Sequence, residues 1–329
     1  TGAELLRLIA QHPDMRLAFA TGETQAGEAV GSLYPSLASA YGDLRFDPWT
    51  PTLLDEREVD VVFVGLPHGK SQSVVPDLLD RVRLVVDLGA DFRLKNPSDY
   101  PRWYGQEHTK PDLLDRFVYG VPEFHREQVV GADAIATPGC YPTTASLVMR
   151  PLAKAGVIAL DRVIVDAASG VSGAGRPPKP NTTFCSVDSD FTAYGLLDHR
   201  HTPEIEMNIG ATVLFTPHLA PMSRGILATC YAQPAVDGLT TDSLLEILRS
   251  EYAESPFIVV SDQSPSTKAT LGSNSAHMTA RFDERTGTVI GICALDNLGK
   301  GASGAAIQCA NLSLGLEETA GLQIAGTYP

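Results

Sequence analysis

Val59-Asp60-Val61-Val62-Phe63-Val64-Gly65-Leu66-Pro67-His68-Gly69 is the stretch on which the fold turns. From Val59 to Leu66 it is apolar almost without a break, as a strand covered on both faces requires. Proline and glycine then end the strand in a loop. Leu84-Val85-Val86-Asp87-Leu88 repeats the pattern, and Gly89-Ala90-Asp91-Phe92-Arg93 follows it as a second loop. Residues 74–79, between the two strands, read as a helix. Strand, helix, strand in this order predicts a doubly wound parallel sheet of the α/β class, with ligands gathered beyond the carboxyl ends of its strands.

Outward from this unit, residues 3–10 carry Leu5, Leu6, Leu8 and Ile9 on helical spacing, and residues 17–20 read as a short strand. Past residue 140 the texture changes. Residues 163–168, 211–216, 225–233 and 257–260 read as strands and 244–252 as a helix. Glu284-Arg285-Thr286-Gly287 joins 277–283 to 288–295 as a hairpin. Residues 302–314 form an apolar, alanine-rich helix that stops at Gly315. The division expected is a Rossmann-type domain from 1–139 with 297–329, and an α+β domain with a mainly antiparallel sheet from 140–296.

The chain has 329 residues, which suits two domains rather than one core. Apolar residues are 43% and charged residues 19%, the balance of a soluble globular protein. A formal charge of −14 argues against a nucleic-acid partner, which needs a basic stripe. No apolar run approaches the ~20 residues that span a bilayer. Thr1-Gly2-Ala3-Glu4-Leu5-Leu6 does not read as a signal peptide, so the expected compartment is the cytoplasm. The five cysteines, at 140, 185, 230, 293 and 309, form no CxxC pair, which is the usage of a reducing compartment.

Three segments could carry chemistry. In Thr137-Pro138-Gly139-Cys140-Tyr141-Pro142-Thr143-Thr144, Gly139 permits a turn and Pro142 suits the first turn of a helix. Cys140 then stands at a helix N-terminus, where dipole and unpaired N–H groups favour a thiolate and supply donors for an oxyanion. A small buried hydrophobe is the competing reading. Asp198-His199-Arg200-His201-Thr202-Pro203-Glu204-Ile205 offers a histidine for proton transfer with a carboxylate near it; a metal site or a solvated turn reads equally from the residues. The third, Asp296-Asn297-Leu298-Gly299-Lys300-Gly301, and the similar Ser169-Gly170-Val171-Ser172-Gly173-Ala174-Gly175-Arg176, suit an anion or a cofactor amide, or serve as turns.

Taken in order, these motifs resemble those of the N-acetyl-γ-glutamyl-phosphate reductases, within the semialdehyde dehydrogenase superfamily. Pro138-Gly139-Cys140-Tyr141-Pro142-Thr143 and His199-Arg200-His201-Thr202-Pro203-Glu204-Ile205 carry the likeness. Leu66-Pro67-His68-Gly69, Gly89-Ala90-Asp91-Phe92-Arg93, Tyr119-Gly120-Val121-Pro122-Glu123, Arg224-Gly225-Ile226-Leu227 and Asp296-Asn297-Leu298-Gly299-Lys300-Gly301 match in the same order, from Gly2 to Pro329.

The resemblance implies an acyl-phosphate substrate, NADP(H) as cofactor, no metal, and a homo-oligomer, dimer or tetramer. It implies Cys140 as the nucleophile that forms a thioester, His199 as acid/base, and Glu204 as the residue that orients a histidine. His201, Arg93 and Arg176 are implied as substrate contacts. Gly2, Thr21, Pro67, Ser169, Gly170, Gly173 and Asn297 are implied on the cofactor side, Asn297 at the nicotinamide amide and Gly2 as the last glycine of the dinucleotide fingerprint. Cys140 is expected to outpace the other cysteines toward an alkylating reagent.

Rivals sharing the fold are aspartate-semialdehyde dehydrogenase and its amino-adipate counterpart; a regulatory protein that binds NADP without catalysis is the third. No acid ends residues 17–20, which leaves room for a 2′-phosphate, and Glu23 lies close by. Because the chain opens where the glycine loop hands over to the first helix, one strand and a turn are expected before Thr1. Residues 17–20 and 61–65 should then stand two inter-strand steps apart, about 10 Å rather than the ~4.8 Å of a direct pair.

Overall fold

The computed structural model describes residues 1–328 and divides into two compact units. The first comprises Thr1–Phe92, His108–Thr137 and Ala306–Leu322; the second comprises Arg93–Glu107, Pro138–Ala305 and the stretch from Gln323 onward. Arg93–Glu107 and the glycine turn after Asn297 therefore group with the second unit.

In the first unit, β1 (Val61–Val64), β2 (Leu84–Asp87), β3 (Val118–Tyr119) and β4 (Ala134–Ala136) form one sheet in the order β1-β2-β4-β3. All three pairings are parallel. The apolar runs are buried as a two-sided sheet demands: Leu84, Val85, Val86, Ala134, Ile135 and Ala136 have no exposed surface. The helix Ser71–Leu78 crosses between β1 and β2 and buries Val75 and Leu78. Among the described residues, β1 pairs only with β2. Residues 17–20 form no strand and no direct pair with β1; their one ladder contact is the parallel bridge Thr21–Asp47 just beyond them. Leu17 and Ala20 pack instead on the cluster of Leu6, Val30, Leu37 and Phe46.

In the second unit seven strands run in the order β6-β7-β5-β8-β11-β10-β9. Their bounds are β5 Val163–Gly170, β6 Thr192–Ala193, β7 Val213–Ala220, β8 Ile226–Ala232, β9 Ile258–Val260, β10 Ala276–Asp283 and β11 Thr288–Leu295. Four pairings are antiparallel and two, β5 with β7 and β9 with β10, are parallel. The helices Cys140–Lys154, Thr202–Ile209 and Thr241–Glu251 pack on one face. Strand residues alternate accordingly: Val163, Val165 and Ala167, or Ile226, Ala228 and Cys230, are buried. Their neighbours Ile164 and Asp166, or Leu227 and Thr229, are half-exposed on the other face. The expected hairpin closes at Asp283 opposite Thr288, with Gly287 at φ +63° taking the conformation only glycine adopts freely.

Candidate active site

Ten of the implied residues fall in the second unit, and Gly2, Thr21 and Pro67 in the first.

Cys140 is the first residue of the helix Cys140–Lys154, with Gly139 as N-cap in an extended conformation. The first helical bond runs from the Thr143 N–H to the Gly139 carbonyl, 3.0 Å, so the N–H groups before it are left for another acceptor. Those of Tyr141 and of Cys140 itself bond the Cys140 sulfur. They do not prevail. Burial pushes the thiol up to about 11, against the opposing pull of these two N–H groups and of the Arg93 charge; Glu204 adds to the rise. The helix end is worth about 0.3–1 kcal/mol here, less than one tenfold step in thiolate population. At neutral pH the sulfur is a thiol. The expectation of a resting thiolate is therefore corrected.

Gly139 is held from two sides. Its N–H donates to Glu204 Oε2 at 3.0 Å, and the other oxygen, Oε1, accepts from Arg93 Nη1 at 3.0 Å. Arg93 and Glu204 are both buried, so the pair is shielded from screening by salt. Sequence reading expects Glu204 to orient a histidine; the bonds found here run to Arg93 and to the backbone beside Cys140. A Cβ on Gly139 would lie 2.5 Å from His201 Nε2, so only glycine lets that ring approach the residue before the cysteine. On the far side, a Cβ on Gly301 would lie 2.9 Å from Cys140 Cβ. Gly301 belongs to a π-helical turn, Gly299–Ser303, whose N–H groups reach back five residues, Gly301 to Asp296 and Ser303 to Leu298. Such turns often mark functional sites.

The two histidines sit in an aromatic box. The His199 ring lies edge-on to His201 at 4.8 Å, Phe215 at 5.2 Å, Tyr194 at 5.5 Å and Tyr141 at 5.7 Å between centroids. Tyr194 Oη donates to Tyr141 Oη (3.2 Å), which donates to the His218 carbonyl (2.9 Å). Burial, with Arg200 second, holds His199 down to about 4; burial also takes His201 well below the usual imidazole range. Both rings are neutral at pH 7. His199 Nδ1 accepts the His201 N–H at 3.1 Å, which places the single ring proton of neutral His199 on Nε2. His199 is thus poised as a donor through Nε2. Among the described residues, no group of three His, Cys, Asp or Glu side chains is arranged to hold an ion.

Asn297 is buried, with Oδ1 accepting from the Gly225 N–H at 2.8 Å and Nδ2 donating to Ser172 Oγ at 2.9 Å. It ties the loop after β5 to the strand β8. Gly170 and Val171 close the same junction through bonds to the Gly225 and Met222 carbonyls. Ser169 is buried with its hydroxyl on the Gly170 carbonyl, while Gly173 and Arg176 are exposed. Tyr194 and Phe215 were not among the residues expected at the site. Nothing local distinguishes them; only the chain's return in space does.

In the first unit, Gly2 opens the helix Gly2–Ile9, and open space lies where its Cβ would stand. Gly65, at the carboxyl end of β1, is equally open, with Thr1 Oγ1 the single atom within 4 Å of a Cβ placed there. An exposed helix N-terminus thus meets a parallel strand's carboxyl end, an arrangement that admits a pyrophosphate. Pro67 is exposed in the loop that follows. Asp91 shapes that loop, accepting from the Gly69 N–H at 2.7 Å and the Ser71 N–H at 3.0 Å, with His68 Nδ1 at 3.0 Å. Burial raises the Asp91 carboxyl, but the bonds from His68 and Gly69 outweigh it and hold it below the usual carboxylate value.

One chemical test follows from exposure. Cys185 is exposed while Cys230, Cys293 and Cys309 are buried. With Cys140 at about 11, iodoacetamide at pH 7 is expected to modify Cys185 first, contrary to the order read from sequence. In a Cys185→Ser protein, Cys140 labelling should accelerate about tenfold per pH unit from 7 to 10. Peptide mapping by mass spectrometry reads both; a rate already level at pH 7 would mean a resting thiolate.

Residues 1–132 match the family model of the semialdehyde dehydrogenase NAD binding domain, and residues 140–297 match that of its dimerisation domain. An N-acetyl-gamma-glutamyl-phosphate reductase of Desulforudis audaxviator is 46% identical over 100% of this chain and 96% of its own length. The reductase of the same name from Magnetococcus marinus is 43% identical with the same coverage. Among solved structures, aspartate semialdehyde dehydrogenase II of Vibrio cholerae superposes with a TM-score of 0.69 at 16% identity, over 95% of this chain and 96% of that one. The aspartate semialdehyde dehydrogenase of Candida albicans, solved with NADP, gives 0.69 at 15% identity, over 94% and 96%. These two share the fold.

Proposed function

The chain belongs to the N-acetyl-gamma-glutamyl-phosphate reductase family, and from that premise we propose that it reduces N-acetyl-L-glutamyl 5-phosphate to N-acetyl-L-glutamate 5-semialdehyde, releasing phosphate through a thioester on Cys140. The reaction is a step of L-arginine biosynthesis. The observation that carries the residue assignment is Cys140 at the start of a helix, beside a Gly139 backbone fixed by Glu204 and packed against His201.

The Cys140 sulfur attacks the acyl carbon as its proton leaves, the C–S bond forms, and the acyl C–O bond to phosphate breaks. His201, neutral and packed against Gly139, accepts that proton, since His199 already carries a proton on Nε2 and an N–H bond at Nδ1. The first-turn N–H groups receive negative charge as it develops on the sulfur and the acyl oxygen. Bound nicotinamide dinucleotide supplies the hydride that reduces the thioester carbon. His199 donates a hydrogen bond from Nε2 to the oxyanion so formed; as the carbonyl re-forms the C–S bond breaks, releasing the aldehyde, and the departing sulfur recovers its proton from His201. Arg93 and Glu204 act as positioning residues for the Gly139–Cys140 turn, with Arg93 and Arg176 offered to the substrate's anionic groups.

In the first unit Gly2, Thr21 and Pro67 are assigned to the dinucleotide; the resemblance also implies Ser169, Gly170 and Gly173 as cofactor contacts and Asn297 at the nicotinamide amide. The resemblance implies NADPH as donor. Which dinucleotide this chain prefers turns on the residues at its adenosine ribose. We assign the enzyme to a homo-oligomer, dimer or tetramer, supported by the half-exposed sheet face of the second unit, where Leu214 is 43% exposed beside Ile164 and Leu227 lies further along the same face. A cytoplasmic setting is supported by five free cysteines; no helix among the described residues is long and apolar enough to cross a membrane.

Phosphate-dependent oxidation of three aldehydes tests the substrate. N-acetylglutamate semialdehyde is expected to exceed aspartate and amino-adipate semialdehydes in kcat/KM by ~10²-fold or more, the scale set by leaving buried polar groups unpaired. Preference for either rival would reassign the chain to that activity. Oxidation of none would point to a dinucleotide-binding protein without catalysis.

A further inference from the structure

Asp296, the first residue after β11, is fully buried and has no part in the reaction as proposed. Its carboxylate gathers three backbone donors and one side chain. Oδ1 accepts from the Leu298 N–H at 2.9 Å and the Gly299 N–H at 3.1 Å; Oδ2 accepts from the Gly272 N–H at 2.6 Å. Arg224 Nε lies 3.1 Å from Oδ1 and 3.0 Å from Oδ2. A buried ion pair gives little net stability over an apolar filling of the same space. What the carboxylate holds in place explains it better than stability does.

Two features hang on it. The bonds to Leu298 and Gly299 start the π-helical turn, and the Asp296 carbonyl accepts the Gly301 N–H at 3.0 Å. Gly301 is the residue that meets the cysteine, since a Cβ on it would lie 2.9 Å from Cys140 Cβ. On the other side, Arg224 precedes Gly225, whose N–H donates to Asn297 Oδ1 at 2.8 Å. Arg224–Gly225 thus grips Asp296 by a side chain and Asn297 by the backbone. One carboxylate fixes both the turn behind the cysteine and the frame of the Asn297 amide.

We infer that Asp296 is a positioning residue for the hydride step: it holds Cys140 and Asn297 in one frame, so that a thioester on the sulfur meets the nicotinamide at reacting distance. This rests on the thioester reading and on Asn297 at the nicotinamide amide. Attack on the acyl phosphate needs the cysteine and its proton acceptor, and the Glu204 tether on Gly139 keeps these in place without Asp296. Reduction needs two separately held groups aligned, and there a misplacement of about 1 Å costs about 10²-fold.

The test separates the two half-reactions. Acylation is followed as phosphate released when the chain meets N-acetyl-L-glutamyl 5-phosphate without dinucleotide. Reduction is followed as loss of reduced-nicotinamide absorbance when saturating NADPH is then added. In Asp296→Asn one oxygen still serves Leu298 and Gly299, while the amide N–H₂ faces the Gly272 and Arg224 donors. Acylation is expected to stay near the wild-type rate and reduction to fall ~10²-fold. Arg224→Gln keeps the three backbone bonds and is expected to slow reduction in the same way, by less. Equal loss in both half-reactions, the mark of a merely structural role, overturns the inference, as does reduction at the wild-type rate. Should Asp296→Asn fail to fold by circular dichroism, the same comparison on Arg224→Gln decides. A wild type that releases no phosphate without dinucleotide overturns the thioester reading and this inference with it. A wild type that acylates, beside variants that reduce normally, overturns this inference alone.

Discussion

Cys140→Ala is expected to lower turnover by at least ~10⁴-fold while leaving the fold and dinucleotide affinity close to wild type. The change removes one sulfur atom and no carbon, so the loss of packing is small. What is lost is the sulfur that, in the proposed reaction, bonds the acyl carbon. The Tyr141 and Cys140 N–H groups and the Arg93–Glu204–Gly139 tether all remain. Binding of substrate should therefore outlast catalysis, and kcat should fall far more than KM changes. Steady-state aldehyde oxidation and a dinucleotide titration on the same protein measure both. Turnover within about 100-fold of wild type would remove Cys140 from the chemistry.

His199→Asn is the second large effect, expected at ~10²–10⁴-fold in kcat with KM little altered. Asparagine can still accept the His201 N–H, so the turn before the helix Thr202–Ile209 is retained and the Nε2 donor is what disappears. The pH profile carries a further signature. A pKa lowered to about 4 keeps His199 neutral throughout the range above it, so acid should begin to inhibit through this residue only as pH approaches 4. A histidine at its ordinary value would lose the neutral form near 6.5. An acid limb in the wild type near 6.5 that His199→Asn abolishes would contradict the burial argument. A variant within threefold of wild-type kcat would contradict the donor role.

Parts of this structure are legible in sequence because local physics decides them. The apolar run into β1, the Gly287 turn between β10 and β11, and the start of the helix at Cys140 each depend on residues within a few positions. Residues 17–20 are apolar enough for a strand, but strand formation requires a partner, and the pairing found is one bridge at Thr21. The two-residue β6 carries no apolar alternation, since both its residues are exposed. At the site, sequence locates the cysteine and histidine segments but cannot bring Arg93 to Glu204, 111 positions away. Nor can it reveal that Tyr194 and Phe215 flank His199. The sharpest difference lies in the thiol. A helix N-terminus is visible in the sequence and argues for a thiolate; burial is not visible, is stronger, and takes Cys140 to about 11. In the proposed reaction, activation falls to a neutral imidazole at the moment of attack, not to the resting helix.

The covalent step can be observed without turnover. Mixing the chain with N-acetyl-L-glutamyl 5-phosphate in the absence of dinucleotide and quenching in acid should stop the reaction at the thioester, which acid preserves. Intact-mass analysis is expected to show one N-acetylglutamyl group gained per chain, located by peptide mapping on Cys140, removed by hydroxylamine and absent from Cys140→Ala. No adduct, or the same adduct on Cys185 or in the Cys140→Ala protein, would contradict a Cys140 thioester.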